Sequence, residues 1–486
     1  MISRRNLLPS LALLGAGLVS GCATNPVTGG HDFVLMSESD EIQLGREYHE
    51  QIIKEMPVYN DPELAAYVNE VGQRLARASH RPELEYHFTV LDSPMVNAFA
   101  LPGGYVYITR GIMAYLNSEA EMAAVLGHEI GHVTARHSVR RHSASTATGV
   151  AGAVLGAATG IPASQDLFNT LGKAMLSGYG REHELESDRL GAQYLARTGY
   201  DPQAMLEVIG VLKNQELFEN QRAREEGREA RSYHGVFASH PENDRRLQEV
   251  VGEAEHLKTV GEPRLGRETY LRHLEGLAFG TSENEGIAVG SRFYHKPLDF
   301  GVDFGEGWSI SNQAERLVAA SPDQAAIVEL TVVPRPARTT PEQFLKQQGV
   351  RETRHGESLN LAGFDSYSTV APVSTNLGKR NARFVVVYDD SHAYLFTGVS
   401  RSNDQRRKFD DHFGEVARSF HKLTAKEKQL AGSLKLHLIK AGNGTRIETL
   451  ASQSPIPKQA ESELRLLNDL YPKGEPQAGQ TLKVVR

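Results

Sequence analysis

At 486 residues, 40% hydrophobic and 23% charged, the chain is too long for one core of ordinary size and has the make-up of a water-soluble, multidomain globular protein rather than a disordered or polytopic one. Its 53 Lys and Arg against 60 Asp and Glu give a net charge of −7, which excludes the basic excess that nucleic acid demands; the Arg-rich stretch at 222 to 231 is interleaved with Glu. A single cysteine excludes an internal disulfide framework.

Residues 1–22 read as a unit of their own. Arg4 and Arg5 precede an apolar run from Leu11 to Val19, too short to span a bilayer, and the run ends in Leu18-Val19-Ser20-Gly21-Cys22. This is an export signal, and its end resembles a bacterial lipobox. The resemblance implies cleavage before Cys22 and lipidation of its thiol, with Ala23 in the place where an Asp would resemble an inner-membrane retention signal. Ser3 to Leu8 also resembles a twin-arginine export signal. The expected location is therefore the periplasm, with the chain held by lipid at the outer membrane.

Thr24 to Ser37 reads as a tether, followed by two helices. The second has Asp61 as N-cap, Pro62 at its first position and Leu64, Tyr67, Val68, Val71 and Leu75 on one face. Leu84, Tyr86, Phe88 and Val90 alternate as a strand. Asn97 to Leu101 and Tyr105 to Thr109 form a hairpin about Pro102-Gly103-Gly104. Ser118 with Glu121 predicts a capping box opening a helix through Met122, Val125, Leu126, Ile130 and Val133. The Gly- and Ala-rich stretch 149 to 160 suits a lid or packed loop. Helices are expected from about Arg181 to Thr198 and from about 202 to 231.

From 285 to 422 a separate α+β domain is expected, with strands at Phe293–Phe304, Ala325–Val333, Phe384–Tyr388 and Ala393–Val399, and helices opening at Thr340-Pro341 and over 403 to 422. It offers no nameable chemistry: Trp308 reads as core and Asp389-Asp390 as a hairpin turn. Residues 430–486 read as a βααβ module, and no 34-residue helical repeat is present. Lys440 to Thr445 and Asn468 resemble a degenerate LysM module, although Asn443-Gly444 replaces the Asp usual in its opening turn. Peptidoglycan binding and a plain packing role both stay open.

The chemistry lies in His128-Glu129-Ile130-Gly131-His132. Histidines four apart on a helix project from one face and can reach one tetrahedral Zn²⁺, while Glu129, about 100° round the helix, is placed to take a proton from water. Glu184 and Asp188 lie one turn apart on a second helix. Glu184 is the expected third ligand, and Asp188 the carboxylate that orients a ligand imidazole and so serves catalysis indirectly. Glu186 is expected at the surface, as are His137, His142 and His183, which helical geometry turns away.

His128 to His132, the Glu184 to Asp188 spacing, Asn97-Ala98-Phe99-Ala100-Leu101-Pro102-Gly103-Gly104 and Ser239-His240-Pro241 with Arg246 closely resemble the gluzincin family that contains HtpX, BepA and CAAX prenyl proteases. The resemblance covers roughly residues 30 to 255. It implies one Zn²⁺ per subunit on His128, His132 and Glu184, with Glu129 as general base. It also implies that Asn97, Ala98, Phe99 and Ala100 supply an exposed edge strand that pairs with substrate main chain. His240 corresponds to a loop histidine that can fill the open metal position as a fourth ligand; packing beside the site, or hydrogen bonding to the oxyanion, are its other roles. With no spanning segment, the chain is similar to the periplasmic, lipid-anchored branch.

The fold class expected is thus α+β: a signal peptide over 1–22, then a mainly helical peptidase domain over 23–260 with a small sheet and active-site edge strand, then the 285–422 domain and the 430–486 module. The expected function is zinc-dependent endopeptidase action on unfolded or misassembled envelope or outer-membrane proteins, with an assembly-factor or holdase role as the rival. Cys22 supplies the link to the membrane.

Overall fold

A computed structural model describes residues 22–34, 36–141, 143, 179–227, 257, 262–313, 316–375 and 378–486. The architecture is mixed α+β, in two compact units: Met1–Gly280 with Leu434–Arg486, and Thr281–Ser433.

The first unit opens with antiparallel β1 (Cys22–Thr24) and β2 (His31–Phe33) and then α1 (Glu38–Glu55), capped by Ser37. Helix α2 (Pro62–Arg77) begins as its sequence requires, with the Asp61 carboxylate accepting from Leu64 N–H at 3.0 Å. Leu64, Val68, Val71 and Leu75 are buried along one side, each contributing about 1.5–3 kcal/mol by leaving water. A three-stranded sheet follows, made of β3 (His87–Leu91), β4 (Ala98–Leu101) and β5 (Tyr105–Thr109). Its order is β3-β5-β4, with β3 parallel and β4 antiparallel to β5, so β4 lies at an edge. The turn between β4 and β5 needs Gly103 and Gly104, at φ 75° and 90°.

Among the helices described next are α3 (Arg110–Tyr115), α4 (Glu119–Thr134), α5 (Arg181–Arg197) and α6 (Ala204–Glu225). The start of α4 departs from a capping box by one residue. Ser118 Oγ accepts from Glu121 N–H at 3.1 Å, but the Glu121 carboxylate reaches back to Asn117 N–H at 2.8 Å rather than to the N-cap amide. Short α7 (Arg267–His273) and β6 (Ala278–Phe279) close the segment.

The second unit holds two sheets. Strands β7 (Ile287–Val289), β8 (Arg292–His295) and β9 (Phe300–Asp303) form one, so the single strand expected over 293–304 is a hairpin. The other has seven antiparallel strands: β10 (Ser309–Asn312), β11 (Leu317–Ala320), β12 (Ala326–Pro334), β13 (Arg354–Leu361), β14 (Phe364–Thr375), β15 (Gly378–Tyr388) and β16 (His392–Ser400), in the order β10-β11-β12-β16-β15-β14-β13. Helices α8 (Pro341–Gln347), α9 (Arg406–Arg418) and α10 (Ala425–Leu430) complete the unit. Trp308 is core, and Asp389 accepts from Ser391 and His392 N–H in the β15–β16 turn.

The C-terminal segment is β17 (Leu434–Lys440), α11 (Ile447–Ser452), α12 (Ala460–Leu467) and β18 (Thr481–Val485), with β17 between β18 and β6. It is joined to the first unit's core: Leu436, Ile447, Leu464, Leu467 and Val485 belong to the same apolar cluster as Val68, Ile130 and Leu212. Buried Lys483 donates to the Ala114 and Leu116 carbonyls at 2.7 and 2.6 Å, where the C-terminus of α3 favours a cation. Asn468 is spent on β18, donating to Lys483 O and accepting from Lys483 N–H. Among the described residues no helix is long and apolar enough to cross a membrane.

Candidate metal centre

The centre exists because α4 and α5 cross closely, and glycines permit it. A Cβ at Gly131 would lie 3.0 Å from Ser187 Cα and O, and one at Gly127 would lie 3.3 Å from Gly191 Cα. Between these contacts His128 and His132, one turn apart on α4, face Glu184 and Asp188, one turn apart on α5. All four are buried, as is Glu129.

The two imidazoles present Nε2 to each other at 3.0 Å; Glu184 Oε2 lies 3.6 Å from His128 Nε2, and Oε1 lies 3.5 Å from His132 Nε2. His128, His132 and Glu184 each offer a donor atom within 4.8 Å of the others. Two nitrogens each about 2.0–2.1 Å from a tetrahedral ion stand about 3.3 Å apart, so the set fits a metal of the zinc type. The outer faces of the rings are engaged as well. Asp188 Oδ1 lies 2.7 Å from His128 Nδ1 and accepts a hydrogen bond from its N–H, which leaves the lone pair on Nε2, facing Glu184.

Three residues expected at the surface, His137, Glu186 and His183, are corrected here. His137 is fully buried, with Nδ1 2.8 Å from His132 Nδ1 and Nε2 2.9 Å from Glu186 Oε2. Glu186 is likewise partly buried against His137 and Arg140 rather than a plain surface acid. His183 is half-buried and stacks on His137 at 4.2 Å, and burial, then His137, pushes its pKa down to about 4. Tyr179 stacks on His132 at 3.9 Å, and burial pushes its hydroxyl up to about 12, so the ring stays neutral.

Beside His128 and Glu129 lies a small apolar recess lined by Ala98, Ile112, Val208 and Leu212, which ties edge strand β4 to the site. Phe99, also on β4, stacks on Tyr107 at 4.7 Å, and Ala100 is buried. Asn97, just before the strand, accepts from Thr109 N–H at 3.0 Å through its carbonyl. Ser239-His240-Pro241, Arg246, His142, residues 149 to 160 and the leader before Cys22 lie outside the described residues, whereas Cys22 itself begins β1.

A buried pair of helix-borne histidines and a carboxylate from a crossing helix, with a Glu inside the histidine motif, make up a candidate metal centre. More narrowly, residues 62–254 match the model of Peptidase family M48. The beta-barrel assembly-enhancing protease of Escherichia coli (strain K12) is 32% identical over 247 residues, 49% of this chain and 48% of that one. Its counterpart from Yersinia pestis is 30% identical over 54% of this chain and 55% of that one. Mitochondrial metalloendopeptidase OMA1 of Schizosaccharomyces pombe is 30% identical over 37% and 54%. The chain thus spans about half the length of the curated relatives it matches. Among solved structures, cyanobacterial PsbP from Synechocystis sp. PCC 6803 aligns with 28% of this chain and 95% of that one at 17% identity, with a TM-score of 0.23, too low to relate the folds.

Proposed function

We propose that the chain is a zinc metalloendopeptidase that hydrolyses peptide bonds of unfolded or misassembled cell-envelope proteins. The observation that carries this is the convergence of His128 Nε2, His132 Nε2 and a Glu184 oxygen in a buried site inside a Peptidase family M48 segment. His128, His132 and Glu184 would hold the ion, and Asp188 keeps the proton of His128 on Nδ1, away from it. When bound, the ion supplies Lewis acidity, which acidifies water and polarises a carbonyl. Glu129 takes a proton from the attacking water and returns it to the departing amide nitrogen.

Main-chain pairing along β4 would bring the scissile carbonyl to the site with little dependence on sequence, and the recess at Val208 and Leu212 would accept an apolar side chain beside the cleaved bond. The envelope as the place of action, with lipidation at Cys22 and residence at the periplasmic face of the outer membrane, is supported by the leader's pattern. The name beta-barrel assembly-enhancing protease, borne by relatives, supports client proteins of that class. Cys22→Ser should move the protein from the membrane to the soluble fraction; an unchanged distribution contradicts the anchor.

Hydrolysis of unfolded casein tests the activity. It should cease on chelation and return with stoichiometric zinc. Hydrolysis that survives chelation, or none from the zinc-loaded chain, contradicts the proposal.

A further inference from the structure

Behind His132 runs a chain of contacts that the ligand set does not include. Helix α4 stops at Thr134, and Arg136 takes a left-handed conformation, φ 55°. A non-glycine residue is strained there and needs support from its surroundings. Holding it, Arg136 Nε donates to Glu41 at 2.9 Å, and buried Glu41 also accepts from Arg81 at 2.8 Å. The reversal carries His137 back under α4, to His132 on one side and Glu186 on the other. Stacking of His183 on His137, and of Tyr179 on His132, fixes the planes of both rings.

The direction of these hydrogen bonds follows from donor chemistry. A carboxylate only accepts, so in neutral His137 the proton sits on Nε2, facing Glu186, and Nδ1 carries a lone pair. That lone pair accepts from His132 Nδ1–H, which leaves His132 Nε2 free of a proton where it faces His128 and Glu184. Ser187 Oγ is 3.4 Å from His137 Nδ1, a longer and weaker contact than the 2.8 Å one to His132. We infer that His137 and Glu186 are positioning residues that fix the tautomer and ring orientation of His132 for metal binding, the counterpart of Asp188 behind His128. This rests on the metallopeptidase reading above.

The test is zinc affinity, by competition with a chromogenic chelator, together with the melting temperature of the metal-free chain, on full-length protein. His137→Phe keeps a ring against His183 but has no acceptor, and should weaken zinc binding about 10- to 100-fold. His137→Asn restores an acceptor near the Nδ1 position and should recover most of that loss, although it packs worse. A purely structural histidine gives the opposite order, with Phe the better replacement. Glu186→Ala should weaken zinc binding several-fold with little change in metal-free melting, and it keeps the test open if His137→Phe fails to fold. Wild type that binds one zinc, with affinities of the variants within twofold of it, overturns the inference alone; wild type that binds none overturns the metallopeptidase reading with it.

Discussion

The proposed role of Asp188 is to govern the ion without touching it. Its carboxylate, fully buried, accepts from His128 Nδ1 at 2.7 Å. Asp188→Asn keeps the shape and removes the charge, so the imidazole becomes less basic and its ring less firmly held. Zinc affinity should fall about tenfold, and kcat/KM for a peptide by about 10- to 100-fold. Wild-type values for both would contradict the role. This acid was legible in the sequence because it lies one helical turn from Glu184. His137 was not: five positions along a continuous helix it would point about 140° away from His132, and only the left-handed turn at Arg136 brings it back. The signal that marks it is local, a histidine just past a helix end that the last periodic apolar residue, Val133, already announces.

At the scale of elements, the crossing of α4 and α5 does what the motif alone cannot. Gly131→Ala would place a Cβ 3.0 Å from the Ser187 backbone, which cannot yield as a side-chain tip would. The expected outcome is a loss of about 1–3 kcal/mol in stability and weaker zinc binding, because α5 carries Glu184 away from the histidines. Gly210→Ala on α6 is the control: apart from its own helix backbone nothing lies within 4 Å of its Cβ, and helix propensity favours Ala by up to about 1 kcal/mol. Chemical denaturation of the two proteins reads the difference, and equal stabilities contradict the account. Elements with an apolar period, such as α2, α4, β12 and β16, were readable from sequence. Strand β13 was not, since almost every residue of Arg354–Leu361 is exposed and no alternation betrays it. Its neighbour β14 mixes Ser and Thr into buried positions, which blurs the same signal.

For the whole molecule, local patterning reads well and assembly reads poorly. The strand, helix, helix, strand order of residues 434–486 follows from periodicity, whereas its merger with the first unit depends on contacts more than 300 residues apart in sequence, such as Lys483 to Ala114. Nothing local in the sequence announces such a contact. The candidate metal centre is the reverse case, with its donor residues on two helices whose motifs are short and chemically restrictive. The proposed hydrolytic role of this centre, with Glu129 moving the proton, is tested most directly by measuring zinc content and casein hydrolysis on the same preparation of Glu129→Gln. Gln keeps the volume of Glu and is not among the three metal donors, so the variant should hold one zinc per chain while hydrolysis falls by at least ~10²-fold. Near wild-type hydrolysis by the zinc-loaded variant would contradict the claim.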